Sequence, residues 1–229
     1  MLHGAIGAAV QLQPLKRCLS DRFNVYSLDF AGHGGRPYDS DFTIELFAND
    51  VLQFVQQQNL DRVNIFGYSM GGYVAMYLAK HHAGKVNKIV TLATKYHWDE
   101  VTAAKEIKML DPEKMEQKIP AFAAILRERH QPNDWKDVLK RTAEMMNGLG
   151  NDNPLKMEDY AAITTPSLLL LGDRDKMVTL EETVAVYKAL PNAMMGMLPG
   201  TQHPIEQVNA NTLAYMIDSF FMNDTEGII

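Results

Sequence analysis

The chain has 229 residues and a formal net charge of −6, so it is long enough for one buried core and lacks the basic surface of a nucleic-acid binder. Its single cysteine excludes an internal disulfide framework and favours a reducing compartment, which predicts a cytoplasmic protein. The longest apolar runs are strand-sized, which predicts that the chain neither spans a membrane nor has one as a partner.

The first part of the chain alternates predicted helices and strands. Pro14 suits the first turn of a short helix that ends at Leu19, because proline lacks the N–H that would be unsatisfied there. A second helix is predicted over residues 43–58, where apolar side chains recur along one face. Short runs rich in β-branched residues predict strands over residues 24–30, 62–66 and 88–92.

Residues 96–160 break this alternation. They carry a helical pattern with no convincing strand, which predicts a helical cap inserted between two strands of the sheet. The large apolar residues of this segment could line an adaptable pocket, but for most of them we expect a role in the cap's own packing. They are Trp98, Met109, Met115, Phe122, Trp135, Met145, Met146 and Met157.

The last part of the chain returns to strand–helix alternation. Residues 167–171 form a continuous apolar run typical of a strand covered on both faces, and residues 193–198 predict another strand. Thr179 and Glu182 have the spacing of a capping box before a helix to about Leu190, and an amphipathic helix follows near the end. The elements predict an α/β fold, with a mostly parallel twisted sheet, helices on both faces and an inserted helical cap.

A candidate nucleophile lies between a predicted strand and a predicted helix. Ser69 is the centre of a Gly-x-Ser-x-Gly motif that directly follows residues 62–66. A serine on such a sharp turn needs small neighbours, which Gly67 and Gly71 provide, and the helix after it directs N–H groups toward developing negative charge. An ordinary glycine-rich turn has the same letters, but the strand before it and the helix after it favour the nucleophile.

A serine hydroxyl needs a base and an orienting carboxylate, and both types of residue follow it in the chain. Asp173 and Asp175 come directly after the predicted strand at residues 167–171, and both are candidates for the acid. Of the seven histidines, His203 alone lies past the last predicted strand. Open α/β sheets place their active sites in such loops, at the carboxyl ends of the strands.

Other kinds of site find no support in the sequence. No H-x-x-x-H or C-x-x-C spacing occurs, and the acidic residues are scattered, so we expect no metal site. The glycines near His33 lack the spacing of a dinucleotide-binding fingerprint. Cys18 has no base pattern near it and is expected to be inert. The sequence therefore predicts a small-molecule substrate and no cofactor.

Five short stretches stand in a recognisable order along the chain: Leu2-His3-Gly4 and residues 29–34, 67–71, 172–175 and 200–203. In this order they resemble the landmarks of the α/β-hydrolase superfamily, and the resemblance covers nearly the whole chain apart from the cap. It implies a core of residues 1–95 and 161–229 with a cap of residues 96–160. It also implies that His3 and His33 are structural and not further bases.

The resemblance also implies roles for individual residues. Ser69 would be the nucleophile, His203 the base and Asp175 the acid, with Asp173 as the alternative acid. The oxyanion hole would be formed by the backbone N–H groups of Ala5 and Met70.

The resemblance implies a serine hydrolase, carboxylesterase-like, that cleaves an ester-type bond of a small to medium, largely apolar substrate. The alternative is a receptor with the same fold, which senses a small molecule or signals to a partner protein and turns over little. Both would keep the three side chains, so the sequence leaves the physiological substrate, the bond type and the oligomeric state open.

One departure from the family concerns the start of the chain. In the family two strands and most of a third precede the His-Gly landmark, whereas here only Met1 and Leu2 do. The missing third strand belongs between the strands predicted at residues 24–30 and 62–66. We expect a truncated form of a longer protein, with about 20 to 30 further residues giving a more stable and active chain, if each strand has the usual length. The alternatives are that residues near the start fill the gap, or that a partner chain supplies a strand.

Overall fold

A parallel sheet forms the centre of the molecule. In the computed structural model, which describes residues 1–223, its neighbouring strands in order are β1 (Val63–Tyr68), β2 (Val86–Leu92), β3 (Ser167–Gly172) and β4 (Ala193–Leu198). Each strand pairs in parallel with the next. The carboxyl ends of all four strands therefore lie at one edge of the sheet, and the mostly parallel α/β fold is confirmed.

Alternation along the strands divides the core between the two faces of the sheet. Ile65, Ile89 and Leu169 face one cluster of buried side chains, whereas their chain neighbours Phe66 and Val90 face the other. Every residue of β3 is buried, which agrees with its continuous apolar run. The sheet is thus covered on both faces.

The helices of the core pack on both faces. The first cluster contains side chains from α2 (Ile44–Gln57), α3 (Met70–His81) and α9 (Leu180–Ala189). The second contains side chains from α1 (Gln13–Leu19) and α10 (Ala210–Met222). Thr43 and Thr179 cap their helices through their hydroxyl oxygens, and Thr179 forms the predicted capping box with Glu182.

The segment between β2 and β3 is helical, as predicted. It holds α4 (Glu100–Ile107), α5 (Pro112–Lys118), α6 (Pro120–His130), α7 (Trp135–Asn151) and the short α8 (Met157–Tyr160). Asp99, Asp111 and Asp134 cap α4, α5 and α7 by accepting hydrogen bonds from backbone N–H groups of the first turn. The division into a core and a cap at residues 96 and 160 stays a prediction.

The strand predicted at residues 24–30 is wrong. Leu28 forms only an isolated parallel bridge to Leu2, and Leu2 forms a second bridge to Gly67. A stretch with strand-like composition becomes a strand only where a neighbour offers a row of N–H and C=O groups, and here the contacts are limited to Met1 and Leu2. Leu2 thus occupies the gap between residues 24–30 and β1 at one end, and an apolar cleft bordered by Val25 and Ile65 continues from it.

Candidate active site

The backbone of Ser69 is held in a conformation that non-glycine residues rarely adopt. Its φ is 51° and its ψ is −117°, at the junction of β1 and α3. Its N–H donates to the Leu92 carbonyl at 2.8 Å, and its carbonyl accepts from the Thr94 hydroxyl at 3.1 Å. These contacts from β2 and from the loop after it fix a backbone whose strain is worth about 1–3 kcal/mol. The side chain is partly exposed at the carboxyl edge of the sheet.

The two glycines that flank this serine have no space for a side chain. A Cβ on Gly67 would lie 2.4 Å from the carbonyl oxygen of Gly71, and a Cβ on Gly71 would lie 2.5 Å from that of Leu2. The close approach at Gly71 brings the start of the chain against the first turn of α3. Both glycines are therefore required by backbone contacts, as the sequence pattern predicts.

Replacement of Gly71 with alanine should lower the free energy of unfolding by about 1–3 kcal/mol, the usual cost of forcing atoms into a packed region. Gly148 in α7 is the matched control, because a Cβ there meets nothing within 4 Å. Its replacement with alanine should leave stability unchanged or raise it by about 0.5–1 kcal/mol. Urea unfolding measures both, and equal stability of the two variants would contradict the close approach.

The imidazole of His203 contacts the carboxylate of Asp175. His203 lies in the loop after β4 and Asp175 in the loop after β3, and Nδ1 of the ring is 2.8 Å from Oδ2 of the carboxylate. The Asp175 side chain is 1% exposed and that of His203 is 12% exposed. The other oxygen, Oδ1, accepts hydrogen bonds from the backbone N–H groups of Met177 and Val178 at 2.8 and 2.9 Å.

The carboxyl group of Asp175 is held in its charged form. Burial by itself raises its pKa, but the hydrogen bonds from His203, Val178 and Met177 outweigh burial and lower the pKa below its usual value. A charged carboxylate at this position makes Nδ1 of His203 the protonated nitrogen. In the neutral imidazole this leaves Nε2 as the nitrogen that can accept a proton.

The carboxylate of Asp173, the alternative acid, does not contact His203. Its Oδ1 accepts a hydrogen bond from the backbone N–H of Thr201 at 3.1 Å, and its side chain is 38% exposed. This contact joins the loop after β3 to the loop that leads to His203. Of the two aspartates, Asp175 is the one that the structure brings to the histidine.

Ser69 and His203 lie at the same edge of the sheet. Tyr68, the residue before the serine, donates a hydrogen bond from its hydroxyl to the His203 carbonyl at 3.0 Å. The two rings lie 5.6 Å apart, centre to centre. Within residues 1–223, no hydrogen bond joins the Ser69 hydroxyl to His203. Such contacts often tighten only when a substrate is bound.

The loop at residues 3–7 lies against the serine. A Cβ on Gly4 would lie 3.2 Å from the Cβ of Ser69, so the backbone of this loop approaches the serine closely. In the described part of the chain, neither the Ala5 N–H nor the Met70 N–H donates to a protein acceptor. The structure thus brings the loop that carries Ala5 close to Ser69, and the role of the Ala5 and Met70 N–H groups as oxyanion donors stays a prediction.

A group of buried histidines stabilises the loop at residues 3–7. Nε2 of His3 accepts from the Phe30 N–H at 3.2 Å, so Nδ1 carries the proton and donates to the Gly4 carbonyl at 2.8 Å. The His3 ring lies 5.1 Å from that of His33, which in turn lies 5.6 Å from that of His130. Burial lowers the pKa of all three, for His3 to about 3 and for His130 to about 4. His3 and His33 are therefore neutral structural residues here, as the resemblance implies.

Acid should destabilise the protein through these histidines. Above pH 6.5 they are neutral in both states, but as the pH falls the unfolded chain takes up protons that the folded chain excludes until about pH 4 for His130 and about pH 3 for His3. The free energy of unfolding should therefore fall by about 1.4 kcal/mol per pH unit for each histidine. Urea unfolding between pH 7.5 and 4.5 measures the slope.

One substitution separates this effect from other titrations. His130→Gln should reduce the slope, because a glutamine takes up no proton in either state. A slope equal to that of the wild-type protein would contradict the assignment to buried histidines.

Two residues near the first loop, Arg129 and His130, carry no recognisable pattern in the sequence. Both lie at the end of α6 and contact the carbonyl of Ile6. No local pattern marks such residues, because their role depends on how the cap packs on the first loop. Cys18 is exposed and contacts Asn211, away from these groups.

The large apolar residues of the helical segment between β2 and β3 divide among several environments. Met115 and Trp135 are buried in a cluster within this segment, which we call the cap cluster, whereas Met145 is buried in the core cluster and Trp98 packs against it. Met109 and Met157 are exposed. Ile6 from the first loop packs against the cap cluster, as do the partly exposed Phe122 and Met146.

Residues 1–223 contain neither a cluster of metal-ligating side chains nor a membrane-spanning helix. No group of three or more histidine, cysteine or acidic side chains is arranged to hold a metal ion there. None of the helices in this part of the chain has the length and apolar character needed to cross a bilayer.

Comparisons with known proteins relate the chain to one fold. A family model described as alpha/beta hydrolase fold matches residues 1–142. The 2-(acetamidomethylene)succinate hydrolase of Mesorhizobium japonicum is 22% identical over an alignment that covers 95% of this chain and 85% of that protein. Esterase YbfF of Escherichia coli is 29% identical over 110 residues, which cover 45% of this chain and 43% of that protein.

Solved structures show the same architecture. MGS-M2, an alpha/beta hydrolase enzyme from a Medee basin deep-sea metagenome library, superimposes with a TM-score of 0.80 at 15% identity. The match covers 100% of this chain and 90% of that one.

Proposed function

This chain belongs to the alpha/beta hydrolase fold family, and on that basis we propose that it is a serine hydrolase that cleaves ester-type bonds. The observation that carries the proposal is the buried contact between His203 and Asp175, 2.8 Å long, at the sheet edge where Ser69 is partly exposed on a strained turn. A histidine with one nitrogen held by a carboxylate and the other free is suited to accept a proton from a nearby hydroxyl.

The proposed reaction proceeds through an acyl-enzyme. The Ser69 hydroxyl attacks the carbonyl carbon while Nε2 of His203 takes its proton, and the carbonyl oxygen becomes an oxyanion held by the N–H groups of Ala5 and Met70. His203 then gives the proton to the leaving alcohol as the ester bond breaks. Water attacks the acyl-enzyme by the same route, which releases the acid and restores Ser69. Asp175 stabilises the imidazolium throughout.

The loop at residues 3–7, which approaches Ser69, suggests an apolar acyl group. Its Ile6 packs against the cap cluster together with the partly exposed Phe122 and Met146. Methionine adapts its shape to different ligands, which suits acyl groups of small to medium size. The names of the relatives, an esterase and a hydrolase, support hydrolysis as the reaction.

Hydrolysis of p-nitrophenyl esters tests the proposal. The protein should hydrolyse the acetate, butyrate and octanoate, with kcat/KM highest for a short or medium chain. Absence of turnover on the whole series, with a protein shown to be folded, would contradict an esterase.

A second candidate function is a receptor that turns over little. It is favoured by one observation, that no hydrogen bond within residues 1–223 joins Ser69 to His203. An alkyl fluorophosphonate labels any activated serine and so shows whether Ser69 is reactive, whereas a turnover assay across esters separates the two functions. An enzyme should show both labelling at Ser69 and steady turnover, whereas a receptor should show labelling, or a single acylation, without steady turnover.

A further inference from the structure

The end of α6 holds the loop that carries Ala5. Nη1 of Arg129 donates to the Ile6 carbonyl at 3.1 Å, and Nε2 of His130 lies 3.0 Å from the same oxygen. Nδ1 of His130 accepts a hydrogen bond from the Gly34 N–H at 3.3 Å. Nε2 therefore carries the proton and donates to Ile6. Two neighbouring residues of the cap thus bind one carbonyl of the first loop.

The residue whose carbonyl they bind has a strained backbone. Ile6 has a φ of 51°, in the left-handed region that β-branched residues avoid. Such a conformation persists only where the surrounding contacts fix it. The two donors at the Ile6 carbonyl provide this restraint on one side of the turn, and the Gly7 N–H, which donates to the Gly4 carbonyl at 3.1 Å, provides it on the other.

The same turn sets the direction of the Ala5 N–H. The Gly4 carbonyl and the Ala5 N–H belong to one planar peptide unit, in which they point in opposite directions. His3 and Gly7 hold the Gly4 carbonyl, so the Ala5 N–H is directed away from them. Rotation of the turn at Ile6 would break the Gly7 contact and redirect this N–H.

Arg129 also reaches the loop that follows His203. Its Nη2 lies 3.5 Å from Oε1 of Glu206, which also accepts a hydrogen bond from the Gln11 side chain at 2.5 Å. The Arg129 side chain is 9% exposed. One guanidinium from the cap therefore contacts both the loop of Ala5 and the loop of His203, and a planar group with five donors suits such bridging.

We propose that Arg129 and His130 are positioning residues that hold the Ile6 carbonyl, and through it the Ala5 N–H, in the orientation that stabilises an oxyanion at Ser69. The proposal rests on the proposed function, in which this N–H is one of the two oxyanion donors. It connects the cap directly to the catalytic step, since the cap's attachment sets one of the groups that bind the developing charge.

Arg129→Ala tests this role, with Arg127→Ala as the matched control. Arg127 lies on the same helix, but its side chain is 55% exposed and pairs with Glu116. Arg129→Ala should lower kcat for an aryl ester by about 10- to 100-fold, less than the loss of a donor outright. KM should change little, and Arg129→Lys should recover part of the rate. Arg127→Ala should behave as the wild-type protein.

A trifluoromethyl ketone gives a readout that a general structural role would not move. It forms a hemiketal oxyanion on the serine, so its Ki should rise in Arg129→Ala by about the same factor as kcat/KM falls. A loss that appears only in KM, an unchanged Ki, or equal kcat in Arg129→Ala and Arg127→Ala would each overturn the proposal. His130→Gln provides a second variant and should lower kcat in the same way.

Amide hydrogen exchange keeps this test separate from the proposed function, because it needs no turnover. The hydrogen-bonded Gly7 and Ala8 amides should exchange faster in Arg129→Ala than in Arg127→Ala. Equal exchange would overturn the positioning role even if the protein is an active esterase. Faster exchange in a protein that hydrolyses no ester would support the contact and show that the proposed function fails.

Discussion

Replacement of Ser69 with alanine should reduce kcat for p-nitrophenyl butyrate by at least about 10³-fold, with the protein still folded. The serine is the one group in this site that would form a bond to the substrate, and the positive φ of its turn presents the hydroxyl at the sheet edge. Initial rates and thermal unfolding measure the effect. The alanine should keep all of these backbone contacts, because they involve only the N–H and C=O of residue 69.

Ser20→Ala is the control for the serine substitution. Its hydroxyl donates to the Lys16 carbonyl at the exposed end of α1, so the change should leave kcat within about twofold, as for other surface substitutions. If Ser69→Ala retains a tenth of the wild-type rate or more, the nucleophile is a different group.

Replacement of Asp175 with asparagine should lower kcat by about 10³- to 10⁴-fold, and the contacts of this side chain give the reason. Met177 and Val178 donate to one oxygen, so an asparagine would keep its carbonyl there and turn its NH₂ group toward His203. An NH₂ group only donates, so Nδ1 would have to accept and Nε2 would carry the proton. The imidazole could then no longer take a proton from Ser69.

Asp173→Asn is the matched comparison, because Asp173 is the other candidate acid and follows the same strand. Its carboxylate contacts the Thr201 N–H, and an asparagine carbonyl can accept that bond equally well. Its kcat should stay within a few-fold of the wild-type value. Steady-state kinetics of the two variants measure the difference, and a larger loss for Asp173→Asn would transfer the role of acid to Asp173.

The loops at the carboxyl ends of the strands were predictable because the chain itself fixes them. The apolar run of β3 ends at Gly172, so the following aspartates have to lie at the sheet edge, and the same holds for His203 after β4. The two glycines that flank Ser69 were also predictable, since a sharp turn between a strand and a helix leaves little room for neighbouring side chains. The residues alone left the choice between Asp173 and Asp175 open, because it depends on side-chain directions within one short loop, and only the resemblance favoured Asp175.

Features that depend on distant neighbours were beyond the sequence pattern. Residues 24–30 have the composition of a strand, but they pair only with Met1 and Leu2 and form a single bridge. Arg129 and His130 have no motif, because their partner, the Ile6 carbonyl, is more than a hundred residues earlier in the chain. Both cases show tertiary contacts deciding what local propensity leaves open.

A crystal structure of the protein inactivated by a small alkyl fluorophosphonate tests the central claim most directly. The phosphorus should be bonded to the Ser69 oxygen, and the phosphoryl oxygen should lie about 2.7–3.1 Å from the backbone nitrogens of Ala5 and Met70. Nε2 of His203 should lie within hydrogen-bond distance of the Ser69 oxygen, with the Asp175 contact intact. Phosphorus on another residue, or a phosphoryl oxygen directed away from both backbone N–H groups, would contradict the proposed site.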